Sequence, residues 1–274
     1  MKDLSRNGLN APVENIHYTL RIASAMCFIG HGVFGIITKP IWCNYFAVFG
    51  IGHDLAYQLM PYLGVIDVLF GLSLLIYPLR AVAGWLVCWG LITASLRPFS
   101  GEPVGELIER AGNFGAPLAL LLLSPAPARG FKSWWSRIDA HPQPDAKTLK
   151  RVIFCLRIVV FALLLGHGWL NLIEKGGLLQ QYAHLGFSDP ASVARFAGIF
   201  EMLAALSVLI RPVRPLLLAF FVWKVTTELF YPHWEVFEWI ERGGSYGSLL
   251  ALWLAIGQTP IITGRSSARP ALSI

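Results

Sequence analysis

Long apolar runs constrain this chain more than any motif does. They fall near residues 18–38, 60–77, 80–97, 104–124, 152–173, 191–210, 213–231 and 236–257. A helix rises about 1.5 Å per residue, so about 20 apolar residues cross the roughly 30 Å hydrocarbon core of a bilayer. Inside lipid every backbone N–H and C=O must be paired within the protein, and a helix does this by itself. The runs therefore predict an all-α membrane protein with eight transmembrane helices. Pro78, Pro98, Pro212 and Pro232 close apolar runs, as a residue without an N–H should. Only 14% of the chain is charged, against about 25% in soluble domains.

The runs are not independent. Shifted by about 135 residues, the chain matches itself in order. Arg21-Ile22 meets Arg157-Ile158, Gly30-His31-Gly32 meets Gly166-His167-Gly168, and Lys39 meets Lys175. Asp67 meets Glu201, Trp89 meets Trp223, Thr93 meets Thr227, and Glu109-Arg110 meets Glu241-Arg242. The chain thus divides into a first four-helix repeat at 18–124 and a second at 152–257. They are flanked by an N-terminal segment 1–17, a basic linker 125–151 and a tail 258–274. Four helices per repeat is an even number. Both repeats then share one orientation, as parallel-oriented bundles about a pseudo-two-fold axis along the membrane normal.

Charge sets the expected orientation. Lys2, Arg6, Arg80, Arg129, Lys132, Arg137, Lys147, Lys150, Arg151, Arg211, Arg214, Arg265 and Arg269 all fall on one side. The positive-inside rule makes that side cytoplasmic, with both termini there, in a bacterial inner membrane. The formal charge of +6 is read as this topology signal. No basic stripe interleaves with aromatics, so nucleic acid is not an expected partner. The lipid bilayer is. Glu102, Glu106, Glu109, Glu235, Glu238 and Glu241 gather on the opposite side. Loops near 39–59 and 174–190 carry Trp42, Tyr45, Phe46, Tyr182 and Phe187, which suit the interface. The four cysteines form no CxxC pair, and Cys27 and Cys88 lie inside apolar runs as small hydrophobes. No metal site is expected.

Ionisable groups inside apolar helices cost at least about 2.5–3.5 kcal/mol each, so they should face partners or a cavity. In each repeat all four helices bring a polar group to the outer half of the membrane. The first offers His31, Asp67, Thr93, Glu109, Arg110 and Asn113; the second His167, Glu201, Thr227, Glu241 and Arg242. An economical arrangement is a polar pocket inside each repeat, with Arg110 paired to Asp67 or Glu109. The histidines would be hydrogen-bond partners or proton carriers. The second repeat adds Lys224 and Glu228, at i, i+4 spacing, where the first has Gly90 and Ala94. If only one half is active, that favours the second. Glu102, Glu106 and Glu235 are explained by favourable placement at helix N-termini. His184 and His233 read as loop or interface residues. Axial haem ligation by His31 and His167 is disfavoured, since each lies in a different repeat.

The four-helix unit, with Gly-His-Gly late in its first helix, an acid early in the second and a Leu-rich fourth, resembles the DoxX/DoxD-like membrane proteins. The resemblance covers 21–123 and 157–256, as a tandem fusion of two units. It implies a four-helix membrane bundle and a role as a subunit of quinone-linked or other membrane redox assemblies, with a catalytic and a non-catalytic part both open for this chain. The fused length and the Glu-Arg-x-Gly-Asn/Ser motif depart from the usual pattern, and no catalytic residue is carried over.

Three functions remain open on the sequence. One is a redox component with a quinone head group in the outer-half pocket, its electrons supplied by another membrane or periplasmic subunit. Another is a transporter or binding protein for a small polar or anionic molecule, anchored by Arg110 or Arg242. The third is an assembly or chaperone subunit whose polar core only holds helices together.

Overall fold

The computed structural model describes residues 4–125, 130–231 and 236–266, with side chains placed for 13–258 of these. Lys2, Arg129, Pro232, His233, Glu235 and Arg269 lie outside the described residues. The chain is helical throughout, with no strand among the described residues and one isolated bridge, Leu79 to Arg137. In order, the helices are α1 (Leu4–Ile36), α2 (Trp42–Ala47), α3 (His53–Ile76), α4 (Arg80–Phe99), α5 (Gly105–Glu109) and α6 (Ala111–Leu123). A 3₁₀ turn (Phe131–Trp135) lies in the linker. Then come α7 (Ala146–Leu172), α8 (Gly176–His184), α9 (Pro190–Ile210), α10 (Arg214–Glu228), α11 (Val236–Glu241) and α12 (Gly243–Ser266).

Among the described residues, five helices are long and apolar enough to cross a membrane: Val13–Ile36 of α1, and α3, α4, α7 and α9. Their outward faces are apolar, with Ile76, Phe196 and Ile210 each about three-quarters exposed. In water such faces would aggregate, so they indicate a bilayer environment. The other expected spans differ from the sequence reading. Residues 104–124 break at Arg110, whose backbone (φ −84°, ψ 14°) leaves helical geometry between α5 and α6. Residues 236–257 break in the same way, at Arg242 between α11 and α12. In both places the break lets an Arg side chain turn back onto acids of the preceding turn. The run 213–231 shortens to α10, 15 residues long.

Packing is crosswise. The centre is made by α1, α6, α7 and α12, with α3 against α1, α9 against α7, α4 against α6 and α10 against α12. Each half sends its last helices into the other: α11 and α12 pack on α1, while α5 and α6 pack on α7. Leu20, Phe28, Leu120, Leu123, Leu156, Leu163, Leu249 and Leu252 share one core across both halves. Cys27 is buried near this core, but Cys88 faces outward.

The crossing needs small residues at its axis. A Cβ on Gly112 would lie 2.6 Å from the Gly244 carbonyl carbon, and one on Gly244 2.8 Å from that of Gly112. Close backbone approach of this kind is how membrane helices pack without a hydrophobic drive between them. Gly112→Val should therefore cost about 1–3 kcal/mol by overpacking. An unchanged melting temperature in detergent would contradict the crossing.

Helix ends are tied locally. Arg21 donates to the Leu74 and Leu75 carbonyls at 2.5 Å each. Arg157 does the same at the end of α9, to Val208 (3.3 Å), Leu209 and Ile210 (3.1 Å). Both guanidiniums satisfy carbonyls that a helix leaves unpaired in its last turn. Asp145 caps α7 through the Thr148 N–H at 2.7 Å, and Asp189 caps α9 through the Ser192 N–H at 3.1 Å.

Candidate functional site

His31 sits in the last turns of α1 and Asp67 in the middle of α3. Their helices bring Nδ1 and Oδ2 to 2.7 Å. The Trp89 indole of α4 donates to the same carboxylate oxygen at 3.2 Å. Trp42 of α2 lies tilted over the His31 ring, with centroids 4.5 Å apart. Beside this group opens a cavity of about 300 Å³. Its walls are mostly apolar and aromatic: Trp42, Tyr45, Phe46, Phe49, Ile51, Leu59, Leu63, Trp89 and Leu96. Its polar groups are His31, Thr93, Arg97, Arg110, Asn113 and Glu241. The Thr93 hydroxyl donates back to the Trp89 carbonyl at 3.0 Å. Glu241 reaches the cavity from the second half. It is 7% exposed and makes no ion pair among the described residues.

Both guanidiniums at the cavity are spoken for. Arg97 pairs with Glu102 (2.9 Å) and Glu106 (3.2 Å), and Arg110 with Glu106 (2.8 Å) and Glu109 (3.4 Å). Lys175, from the second half, also pairs with Glu106. Glu106 is completely buried. It is therefore the hub of three cations and not the exposed helix-end charge that its position in sequence suggests. Arg110 does not reach Asp67, whose carboxylate is taken by His31 and Trp89. The pairing with Glu109 is present.

The second half repeats the first contact and fills the rest. His167 Nδ1 lies 2.5 Å from Glu201 Oε2. The Asn171 amide donates to Glu201 at 3.3 Å and accepts from the Tyr182 hydroxyl at 2.8 Å. Lys224 and Glu228 form the expected i, i+4 pair, both almost fully buried. Arg242 bridges Glu228 (3.0 Å) and Glu109 of the first half (2.9 Å). Its close partners are thus Glu228 of its own half and Glu109 across the interface, and not its neighbour Glu241. Thr227 directs its hydroxyl to the Trp223 carbonyl at 2.9 Å, and its own carbonyl accepts from Gln181 at 2.7 Å. Lys39 of the first half pairs with Glu238 of the second, the mirror of Lys175 with Glu106.

A small void of about 10 Å³ lies between the halves, lined by Glu109, Arg110, Asn113, Glu241, Arg242 and Ser245. That is room for about one water among polar partners. Glu109, His167 and Glu228 place three donor atoms within 4.8 Å of one another, the spacing of a metal-ligand set. Arg242 bridges the two carboxylates and Lys224 holds one of them. A divalent ion there would face two fixed cations, so the set works as an ion-pair cluster.

The charges nearly cancel. Among the described residues the linked network holds six carboxylates (Glu102, Glu106, Glu109, Glu201, Glu228, Glu238) and six cations (Lys39, Arg97, Arg110, Lys175, Lys224, Arg242), with His167 joining Glu201 to it, while the His31–Asp67 pair and Glu241 stand apart. Each histidine is hydrogen-bonded to an acid, His31 to Asp67 at 2.7 Å and His167 to Glu201 at 2.5 Å.

The extra charges point to the second half if only one is active, yet the 300 Å³ cavity lies in the first. Trp42, Trp89, Arg97 and the Lys39–Glu238 and Lys175–Glu106 pairs join the site only in the folded structure. The recurrence of Lys39 as Lys175 and of Trp89 as Trp223 was the available signal. Comparison with family models, curated proteins and solved structures finds no match.

Proposed function

We propose that this chain is a DoxX-like integral membrane protein that binds a lipid-soluble ring compound of the quinone type in the cavity beside His31. In this reading eight helices cross a bacterial inner membrane as two parallel-oriented repeats, the helices broken at Arg110 and Arg242 included. Both termini are cytoplasmic and the acidic mouths face outward. The protein is a subunit of a membrane redox assembly, and a partner subunit supplies the electrons.

One observation carries the reading: a mostly apolar, aromatic-walled cavity of about 300 Å³ ends on the hydrogen-bonded His31–Asp67 pair. Binding sites for such molecules are apolar with a few convergent polar groups. His31 offers its Nε2 edge to a ring oxygen while Asp67 fixes the imidazole through Nδ1. Trp42 and Trp89 supply faces for stacking. The anion-transport reading is weaker, because Arg110 and Arg242 each already face two carboxylates. The assembly-subunit reading draws on the ion pairs that join the two halves. It predicts full partner activity in the Asp67→Asn, Glu201→Gln protein.

The test is a titration of purified protein with a short-chain quinone, read by quenching of tryptophan fluorescence. Saturable quenching is expected, and His31→Ala should weaken it about tenfold, or about 1.4 kcal/mol. Linear, non-saturating quenching in the wild type would sink the proposal.

A further inference from the structure

Two of the positions at which the halves differ carry an ionisable group in the second half and a small residue in the first. The register that places Trp89 on Trp223 and Thr93 on Thr227 places Gly90 on Lys224 and Ala94 on Glu228. Ala94 lines the first-half cavity. Glu228 stands in the equivalent space of the second half, with one oxygen 3.0 Å from the Arg242 guanidinium and the other 4.0 Å from His167 Nε2. The counterparts of those two groups, Arg110 and His31, both line the cavity.

We infer that the Lys224–Glu228 pair is the built-in occupant of a second copy of the pocket, and that it marks where a ligand oxygen sits in the first: between His31 Nε2 and the Arg110 guanidinium. This rests on the pocket reading above and specifies the ligand chemistry. The Glu228 carboxylate is balanced by its own Lys224. The first half has glycine at that position, and Arg110 is already balanced by Glu106 and Glu109. Among the described residues that line the cavity, Arg97 and Arg110 are both paired with acids and Glu241 adds a carboxylate, so no unpaired cation is there to meet a second one. A neutral acceptor, a carbonyl oxygen, meets both donors without adding charge. The ligand is thus a neutral carbonyl compound with an apolar body, and the chain takes one molecule of it.

The side chains that fill one half also tell how to exchange the two. Ala94→Glu puts a carboxylate beside Arg110 and closes the first pocket. Lys224→Gly with Glu228→Ala removes a neutral pair and opens the second, leaving Arg242 on Glu109.

The experiment is equilibrium dialysis of the purified full chain with a 1,4-naphthoquinone and, separately, with a naphthoate of similar shape. The wild type should bind one equivalent of the naphthoquinone, at least tenfold more tightly than the naphthoate. Ala94→Glu should lose that binding at least tenfold while keeping its melting transition. The Lys224→Gly, Glu228→Ala protein should bind two equivalents. Retained naphthoquinone binding in folded Ala94→Glu, or a preference for the naphthoate, overturns the inference alone. A stoichiometry of one in the folded double variant does the same, and if that variant does not fold, the Ala94→Glu and naphthoate results decide. A wild type that binds neither probe overturns the pocket reading and this inference with it.

Discussion

Replacing Arg242 with methionine should destabilise the protein by about 3–5 kcal/mol, the cost of stranding buried charges by removing their partner. Arg242 lies 2.9 Å from Glu109 and 3.0 Å from Glu228, in a site withdrawn from water. Methionine keeps most of the stem's volume and apolar packing, so the loss isolates the guanidinium. The two glutamates come from opposite halves of the chain, and the effect therefore includes the joint between them. Arg242→Lys retains the charge but cannot present a planar fork to both acids, so an intermediate loss is expected. The measurement is denaturant or thermal unfolding in a fixed detergent. A change within about 0.5 kcal/mol would place this residue among ordinary surface substitutions and contradict the bridge.

The second large effect is a contrast between single and double replacement. Glu228→Leu alone leaves the Lys224 ammonium buried and without its counter-ion, at a cost of about 3–5 kcal/mol. Lys224→Met with Glu228→Leu removes both charges and fills the space with apolar groups. That change should be near neutral or stabilising, because desolvating an ion pair often costs more than the pair returns. Arg242 still has Glu109 in the double variant. A double-mutant cycle should report a coupling energy of several kcal/mol, well above the 0.3–0.5 kcal/mol scatter of independent sites. Additive single effects would mean that Lys224 and Glu228 are satisfied separately.

The parts of this site legible in the sequence are those set within one half. His31 and Asp67 occur in the same order as His167 and Glu201, 36 and 34 residues apart, and each pair meets in space. The Lys224–Glu228 pair follows from helical spacing alone. What the sequence hides depends on the crossing. Lys39 finds Glu238, Lys175 finds Glu106 and Arg242 finds Glu109 because α11 and α12 dock on α1 while α5 and α6 dock on α7. No local pattern encodes which half a fourth helix will lie against. Glu106 looks like a charge at a helix mouth, and only the convergence of Arg97, Arg110 and Lys175 shows it to be a buried hub. The cavity was hidden for a related reason. The space is marked on α4 by a small residue, Ala94, whereas the charged Glu228 that draws the eye in the second half stands at the aligned position. Trp89 and Trp223 align in sequence, yet Trp89 bonds to Asp67 while Trp223 is about half exposed.

The central claim is that the cavity beside His31 holds a lipid-soluble carbonyl compound. It is tested most directly by extracting purified protein with organic solvent and identifying the released small molecules by mass spectrometry. The account predicts a quinone-type compound in about equimolar amount from the wild type, and its loss from Ala94→Glu purified in the same way. Recovery of the compound in equal amount from Ala94→Glu, or of no such compound from the wild type, would contradict it.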